Sequence, residues 1–320
     1  MNILIGIIVG LLILMSLVTA HEFGHFIMAK KNGVKVLEFG ICFPPRALAW
    51  KKGKDGKWHR LPKSEWDKPA DSLIFSLNWL PIGGFCQMDG ETAIDKRKGT
   101  FGHASFRAKT KILFGGVAMN WLISFVLLTF LAWAGMPKLI NNQFTIRQDT
   151  GITYDERFVT PMEIRHSTWS APIVGAGLTL QLTGETFVGI GQLLWNLVSG
   201  VVGQFTFDSG IREQANANLS AAGDSVTGPV GIVGSIFPSF VAAGPATLTF
   251  LAALISVSLA CMNVLPIPAL DGGRWLLMAI YKLRKKPLTP EIEAKIVSRA
   301  FMILLILIAI VTILDITRIF

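Results

Sequence analysis

Residues 2–25 read NILIGIIVGLLILMSLVTAHEFGH, and the fold turns on how this stretch is understood. No side chain from Asn2 to Ala20 is charged, a length that suits a membrane-spanning helix. Directly at its end comes His21-Glu22-Phe23-Gly24-His25. Imidazoles four residues apart lie on one face of a helix, where both can ligate one metal ion, and the glutamate between them can serve as a base. This is the H-E-x-x-H arrangement of zinc hydrolases, here carried by a lipid-embedded helix. Ionisable groups at that depth are costly and mark function. The expectation is intramembrane metal chemistry.

Composition points to the same class. With 51% hydrophobic and 16% charged residues and a mean hydropathy of +0.51, the chain reads as an α-helical polytopic membrane protein. A net charge of +9 would fit a nucleic-acid binder, but the distribution excludes that reading. Lys30 to Lys111 holds 17 Lys/Arg against 8 Asp/Glu, Pro137 to Pro245 holds 5 against 8, and Gly272 to Arg299 holds 7 against 2. Such alternation is the positive-inside pattern, with basic residues facing anionic headgroups. It places the first and third connections in the cytoplasm and the middle one outside, in a multi-pass protein of the cell membrane. Both termini are then extracytoplasmic, and the metal motif lies towards the cytoplasmic side. Cys42, Cys86 and Cys261 are too few and scattered for a disulfide framework and read as apolar fillers. The apolar N-terminus lacks a basic leader and a small-residue cleavage site before the motif, so it is expected to be a retained helix.

About four transmembrane helices are expected, with small β elements and a membrane-re-entrant β-hairpin loop. The first span is Ile3 to Met28, the second Ile112 to Pro137, the third about Ala246 to Val264 and the fourth Ala300 to about Leu314. Gly33 to Asp71 reads as a basic cytoplasmic hairpin turning at Lys51 to Lys57. Within Leu73 to Gly90, the run Leu80-Pro81-Ile82-Gly83-Gly84-Phe85 combines apolar residues with turn formers and reads as a loop dipping beside the catalytic cavity. Thr186 to Phe207 is uncharged over 22 residues but contains four glycines, Gln192, Asn196 and Gln204. An interfacial or cavity-lining helix is favoured there, because a span would reverse the sidedness of everything after it. Asn120, the one strongly polar residue of the second span, suits an interhelical hydrogen bond or a direct role at the site. Three regions follow: 1–136 with the first two spans, 137–227 as an extracytoplasmic segment, and 228–320 with the last two spans.

The third span runs into Asn263-Val264-Leu265-Pro266-Ile267-Pro268-Ala269-Leu270-Asp271-Gly272-Gly273. Its prolines remove amide donors and unwind the helix, and broken membrane helices free backbone for binding. Asp271, followed by two glycines that let backbone approach closely, suits the third protein ligand of a zinc ion held by His21 and His25. Two imidazoles and one carboxylate fit Zn2+ and leave a position for water, whose pKa the metal lowers. Glu22 can take the water's proton and pass it to a leaving amide nitrogen. Asn263 can hold a substrate backbone or a developing oxyanion, and equally can serve the break structurally. His59, His103 and His166 lie in polar segments and are expected not to be ligands.

Taken together, H-E-x-x-H in a first span and N-x-x-P-x-P-x-L-D-G-G in a later one resemble the site-2 protease family of intramembrane zinc metalloproteases, in particular the bacterial group that cleaves membrane-bound anti-sigma factors and remnant signal peptides. The resemblance implies His21, His25 and Asp271 as zinc ligands and Glu22 as the catalytic acid/base. It also implies a substrate-side role for Asn263, Pro266 and Pro268, and makes Gly83, Gly84 and Phe85 part of a re-entrant loop that pairs with an unwound substrate as an added strand. Gly228-Pro229-Val230-Gly231-Ile232 and Asp315-Ile316 with Arg318 match the family as well. Implied partners are single-span membrane proteins or remnant signal peptides in a lipid bilayer, and an upstream site-1 protease that trims them first. Two departures stand out. Lys138 to His166 has no room for the PDZ domains usual in this group, and Gly115-Gly116-Val117 replaces a common Ala-Gly-Pro before Asn120. A metal carrier or a catalytically silent scaffold would be the alternatives. Internal repeats or a second polar cluster would favour the carrier, and neither is found.

Overall fold

The computed structural model describes residues 2–53, 55–66, 72–91, 95, 97–135, 168–224 and 231–319. Helix α1 (Asn2–Lys31) is followed by strands β1 (Val36–Lys52), β2 (Trp58–Arg60) and β3 (Ile74–Met88). Helices α2 (Phe106–Ala134), α3 (Ala171–Gly203) and α4 (Ser209–Asp224) come next, then a π-helical turn at Ile232–Ile236 and a short α5 (Phe237–Ala242). The chain closes with α6 (Pro245–Val264), α7 (Asp271–Leu283) and α8 (Pro290–Ile319). Five of these helices, α1, α2, α3, α6 and α8, are long and apolar enough to cross a bilayer. The protein is a polytopic helical membrane protein with a small antiparallel sheet of order β2-β1-β3.

The structure has one more long apolar helix than the four spans expected. Ala171–Gly203 is a single helix of 33 residues, its glycines notwithstanding; Gly175, Gly200 and Gly203 are closely packed, whereas Gly184, Gly189 and Gly191 face open space. Added Cβ atoms at Gly200 and Gly203 would strike Leu219 and Ala215 of α4, so these glycines let α4 pack back closely on α3. Gln204 donates to Asn216 at 2.7 Å and Asn218 to Ser199 at 2.9 Å across the same pair. The expected polar connection from Lys138 to His166 and the run Gly228-Pro229-Val230 lie outside the described residues, as do the side chains of Asp315 and Arg318.

The chain forms two compact units, one of Ile8–Ser124 with Leu259–Leu304, the other of Met1–Ile7, Phe125–Ser258 and Leu305–Phe320. In the second of these, Leu128 and Leu131 of α2 pack with Leu178 of α3 and with Phe250 and Ala253 of α6. The first holds the larger core, where Phe26 and Ala29 of α1, Phe39 of β1, Cys86 and Met88 of β3, Ile112 and Leu113 of α2 and Leu277 and Met278 of α7 meet.

Local chemistry sets the ends that matter. Lys30 and Lys31 fall on the negative end of the α1 dipole. The helix stops because Gly33 takes a left-handed φ of +73°, allowing the Val34 amide to reach the Ala29 carbonyl at 2.9 Å. In the sheet, β1 and β3 each fold back on themselves, so that Phe39 pairs with both Cys86 and Phe75, and Gly40 with both Phe85 and Ser76. The two arms of β1 are tied by an ion pair between Arg46 and the buried Glu38. The bend of β3 falls on the predicted loop, with Gly83 at φ +97°.

Candidate active site

His21 and His25 are both buried, and Gly24 between them explains how. A Cβ there would strike the Gly115 backbone of α2, so the glycine lets the two helices touch backbone to backbone. One residue further along α2, a Cβ on Gly116 would collide with Nε2 of both imidazoles. The small residues of α2 thus make the space in which the histidine rings sit.

Asp271 comes to the same place from 250 residues away. Pro266 and Pro268 interrupt the chain between α6 and α7, and the Leu270 carbonyl accepts the first α7 hydrogen bond, from the Arg274 amide at 2.9 Å. Gly272 and Gly273 pack directly on the carbonyls of Val264, Leu265 and Ile267, so any larger side chain would push α7 away from the break. Two neighbours then hold α7 in place. The Arg274 guanidinium donates to Glu293 of α8 at 3.0 Å and to the Glu91 carbonyl, and Trp275 Nε1 donates to Thr110 of α2 at 2.9 Å.

The result is a triangle of donor atoms. His21 Nε2 lies 3.0 Å from Asp271 Oδ2 and 3.1 Å from His25 Nε2, and His25 Nε2 lies 3.3 Å from Asp271 Oδ2. A tetrahedral zinc with bonds of about 2.0–2.1 Å needs ligand atoms roughly 3.3 Å apart, so these three residues fit the ion. The donor atoms of His21, Glu22 and His25 also lie within 4.8 Å of one another. The tighter triangle with Asp271 matches the spacing of ligands, and it leaves the Glu22 carboxylate beside it rather than within it. The Glu22 carboxylate faces the Cys86 backbone in β3. His25 Nδ1 donates to the Ile112 carbonyl at 2.8 Å, which leaves its Nε2 facing the triangle. The Asn120 amide lies 3.3 Å from His21 Nδ1.

The remaining predicted residues are placed around this centre. Gly83 and Gly84 pack on Val18 and Thr19 of α1, just before His21, and the half-buried Phe85 precedes Cys86. Phe43, Trp79 and Leu80 stand exposed at the bends of the sheet. Pro268 lines a cleft together with Asp271, whereas the Asn263 amide donates to the Leu259 carbonyl of its own helix at 3.0 Å. His59 is in an exposed pair with Asp55. A cleft of about 410 Å³, lined among others by Glu91, Pro268, Leu270 and Glu293, reaches Asp271. Sequence reading left the role of Asn120 open between packing and the site and did not mark Ile112; the i, i+4, i+8 spacing of Ile112, Gly116 and Asn120 was the available signal that they share a face.

The sequence profile of peptidase family M50 matches residues 9–308. The chain belongs to peptidase family M50. This is the site-2 protease family, and the protein is a membrane-embedded zinc metalloprotease. Among its relatives, a Clostridium perfringens protein named as a candidate zinc metalloprotease is 27% identical over 97% of this chain and 98% of its own length. The zinc metalloprotease RasP of Shouchella clausii is 22% identical over 95% of this chain and 97% of its own. The regulator of sigma-W protease RasP of Bacillus subtilis is 22% identical over 98% and 99%. As an M50 peptidase, the chain carries both motifs within the matched range.

Proposed function

We propose that the protein hydrolyses peptide bonds within or near transmembrane segments of single-span membrane proteins, among them remnant signal peptides and anti-sigma factors, with His21, His25 and Asp271 as zinc ligands and Glu22 as acid/base. The observation that carries this reading is the triangle of 3.0–3.3 Å between the three ligand atoms, with Glu22 beside it. Zinc bound there supplies Lewis acidity that lowers the pKa of a water and polarises a substrate carbonyl. Glu22 accepts the water's proton and returns it to the leaving nitrogen. Since Glu22 faces the Cys86 backbone, the carboxylate lies on the side of the site where β3 runs. A substrate strand added beside Gly83, Gly84 and Phe85 would present its carbonyls there, and the break at Pro266 and Pro268 would meet its other side. A transmembrane helix hides its carbonyls in its own hydrogen bonds, so the added strand supplies the unwound segment with substitute partners.

The site is assigned to the cytoplasmic side of the cell membrane, with both termini outside. Lys30 and Lys31 at the end of α1, together with the lysines that follow α7, support this under the positive-inside rule. Because His21 and Asp271 meet, α1 and α6 deliver their C-terminal ends to one side, so the chain between α2 and α6 makes an even number of crossings. Helix α4 is too polar to cross lipid. This supports the reading of α3 as an interfacial or cavity-lining helix.

The middle region, 137–227, is read as lacking a PDZ domain. In support, the Bacillus subtilis alignment runs over 440 positions while this chain has 320 residues, so that relative carries sequence with no counterpart here. Control of access would then fall to the Ser167 to Phe207 segment or to a separate protein. An upstream site-1 protease is the expected supplier of trimmed substrate.

The test is reconstitution with zinc and a single-span substrate, wild type against Glu22→Gln. Cleavage is expected to fall about 10²–10⁴-fold with zinc content unchanged. Undiminished cleavage by the variant would overturn the role of Glu22, and metal flux across the vesicle without cleavage would make the protein a carrier.

A further inference from the structure

Three residues of α2 at four-residue spacing face the two imidazoles. The Ile112 carbonyl accepts from His25 Nδ1 at 2.8 Å, Gly116 leaves room for both rings, and the fully buried Asn120 brings its amide to 3.3 Å from His21 Nδ1. One contact has a fixed polarity and the other does not. A backbone carbonyl only accepts, so His25 carries a proton on Nδ1 and turns Nε2 towards the triangle. A primary amide has a donor end and an acceptor end of nearly the same shape.

His21 needs the acceptor end. An imidazole that gives Nε2 to a metal ion carries its ring proton on Nδ1, and the Asn120 amide, 3.3 Å from that nitrogen, offers its carbonyl oxygen. An alanine would leave that proton unpaired, and an aspartate would keep the acceptor.

We infer that Asn120 is a positioning residue that holds the His21 ring through Nδ1, so that Nε2 is presented to the ion. This rests on the reading of His21 as a ligand. It assigns to α2 the orientation of both imidazoles, one through a backbone carbonyl and one through a side-chain amide.

The experiment is zinc binding by the full-length protein in detergent, in competition with a fluorescent chelator, for wild type, Asn120→Ala, Asn120→Asp and His21→Ala. Loss of an outer partner of a metal-bound imidazole typically weakens the site about 10–100-fold, and that loss is expected for Asn120→Ala. Asn120→Asp keeps the acceptor and is expected to bind zinc within a few fold of wild type, with the His21 Nδ1 proton retained in 15N-histidine spectra of the loaded protein. Affinity unchanged in Asn120→Ala overturns the inference, as does an Asn120→Asp protein weakened as much as the alanine variant. Should Asn120→Ala not fold, the near-isosteric aspartate carries the test through its affinity and its Nδ1 signal. His21→Ala separates the two levels: if it binds zinc like wild type, the ligand reading itself fails, and if it alone loses zinc, only the role of Asn120 fails.

Discussion

Helices α6 and α8 are both long and apolar, yet half of the most apolar window of α6 is buried in the protein and none of that of α8. The buried face of α6 holds Phe250 and Leu251 but is otherwise built mainly of smaller residues, Ala252, Ala253, Ser256, Val257, Ala260 and Cys261, whereas α8 exposes Phe301, Met302, Ile303, Leu305 and Ile306. Lipid is as good a solvent for leucine as a protein interior is, so large apolar side chains do not drive one membrane helix onto another. Small and weakly polar residues do so, by close backbone approach and hydrogen bonding. The same division separates the α2 face of Gly115, Gly116, Asn120 and Ser124 from its exposed Leu122, Val126 and Phe130. The catalytic centre sits where small faces meet.

That contrast can be broken by substitution. The largest effect is expected from Asp271→Ala, which removes one corner of the ligand triangle while leaving α7 anchored through Arg274 and Trp275. Zinc retained after gel filtration should fall to near nothing, and cleavage with it, while the melting temperature of the metal-free protein should hardly move. A smaller effect is expected from Gly116→Ala. Its Cβ meets both imidazoles, and overpacking of this kind costs about 1–3 kcal/mol. Unfolding of metal-free protein by SDS titration measures that cost, and chelator competition should show weaker zinc binding in addition. The smallest is expected on α8, where Ile303→Ala should change stability by no more than about 0.5 kcal/mol despite removing a larger side chain. A loss of several kcal/mol there would mean that α8 is packed against something other than lipid.

The meeting of His21, His25 and Asp271 was legible in the sequence because metal chemistry restricts residue types and spacing. Imidazoles four apart on a helix share one face, and a carboxylate at a helix break is free to approach them. The bend of β3 was legible for a related reason: Pro81, Gly83 and Gly84 are best tolerated in an apolar run where the backbone turns, and β3 turns there. Helix α3 was harder, since its glycines read as interruptions until α4 is seen packed against two of them. The α2 contacts were hidden further. Ile112 acts through a carbonyl that every residue possesses, and Gly116 through the absence of a side chain, neither of which leaves a mark in composition. Asn120 did stand out as polar, but choosing between a structural and an active-site contact required knowing that His21 lies opposite.

The separation of the donors along the chain also has a bearing on biosynthesis. A ribosome that has inserted α1 and α2 has delivered both imidazoles and the glutamate to the bilayer, but Asp271 is then still far from being translated. On the proposed ligand set, the metal site cannot close until α7 is made, so the order of translation would hold the protease back until most of its own scaffold has been inserted.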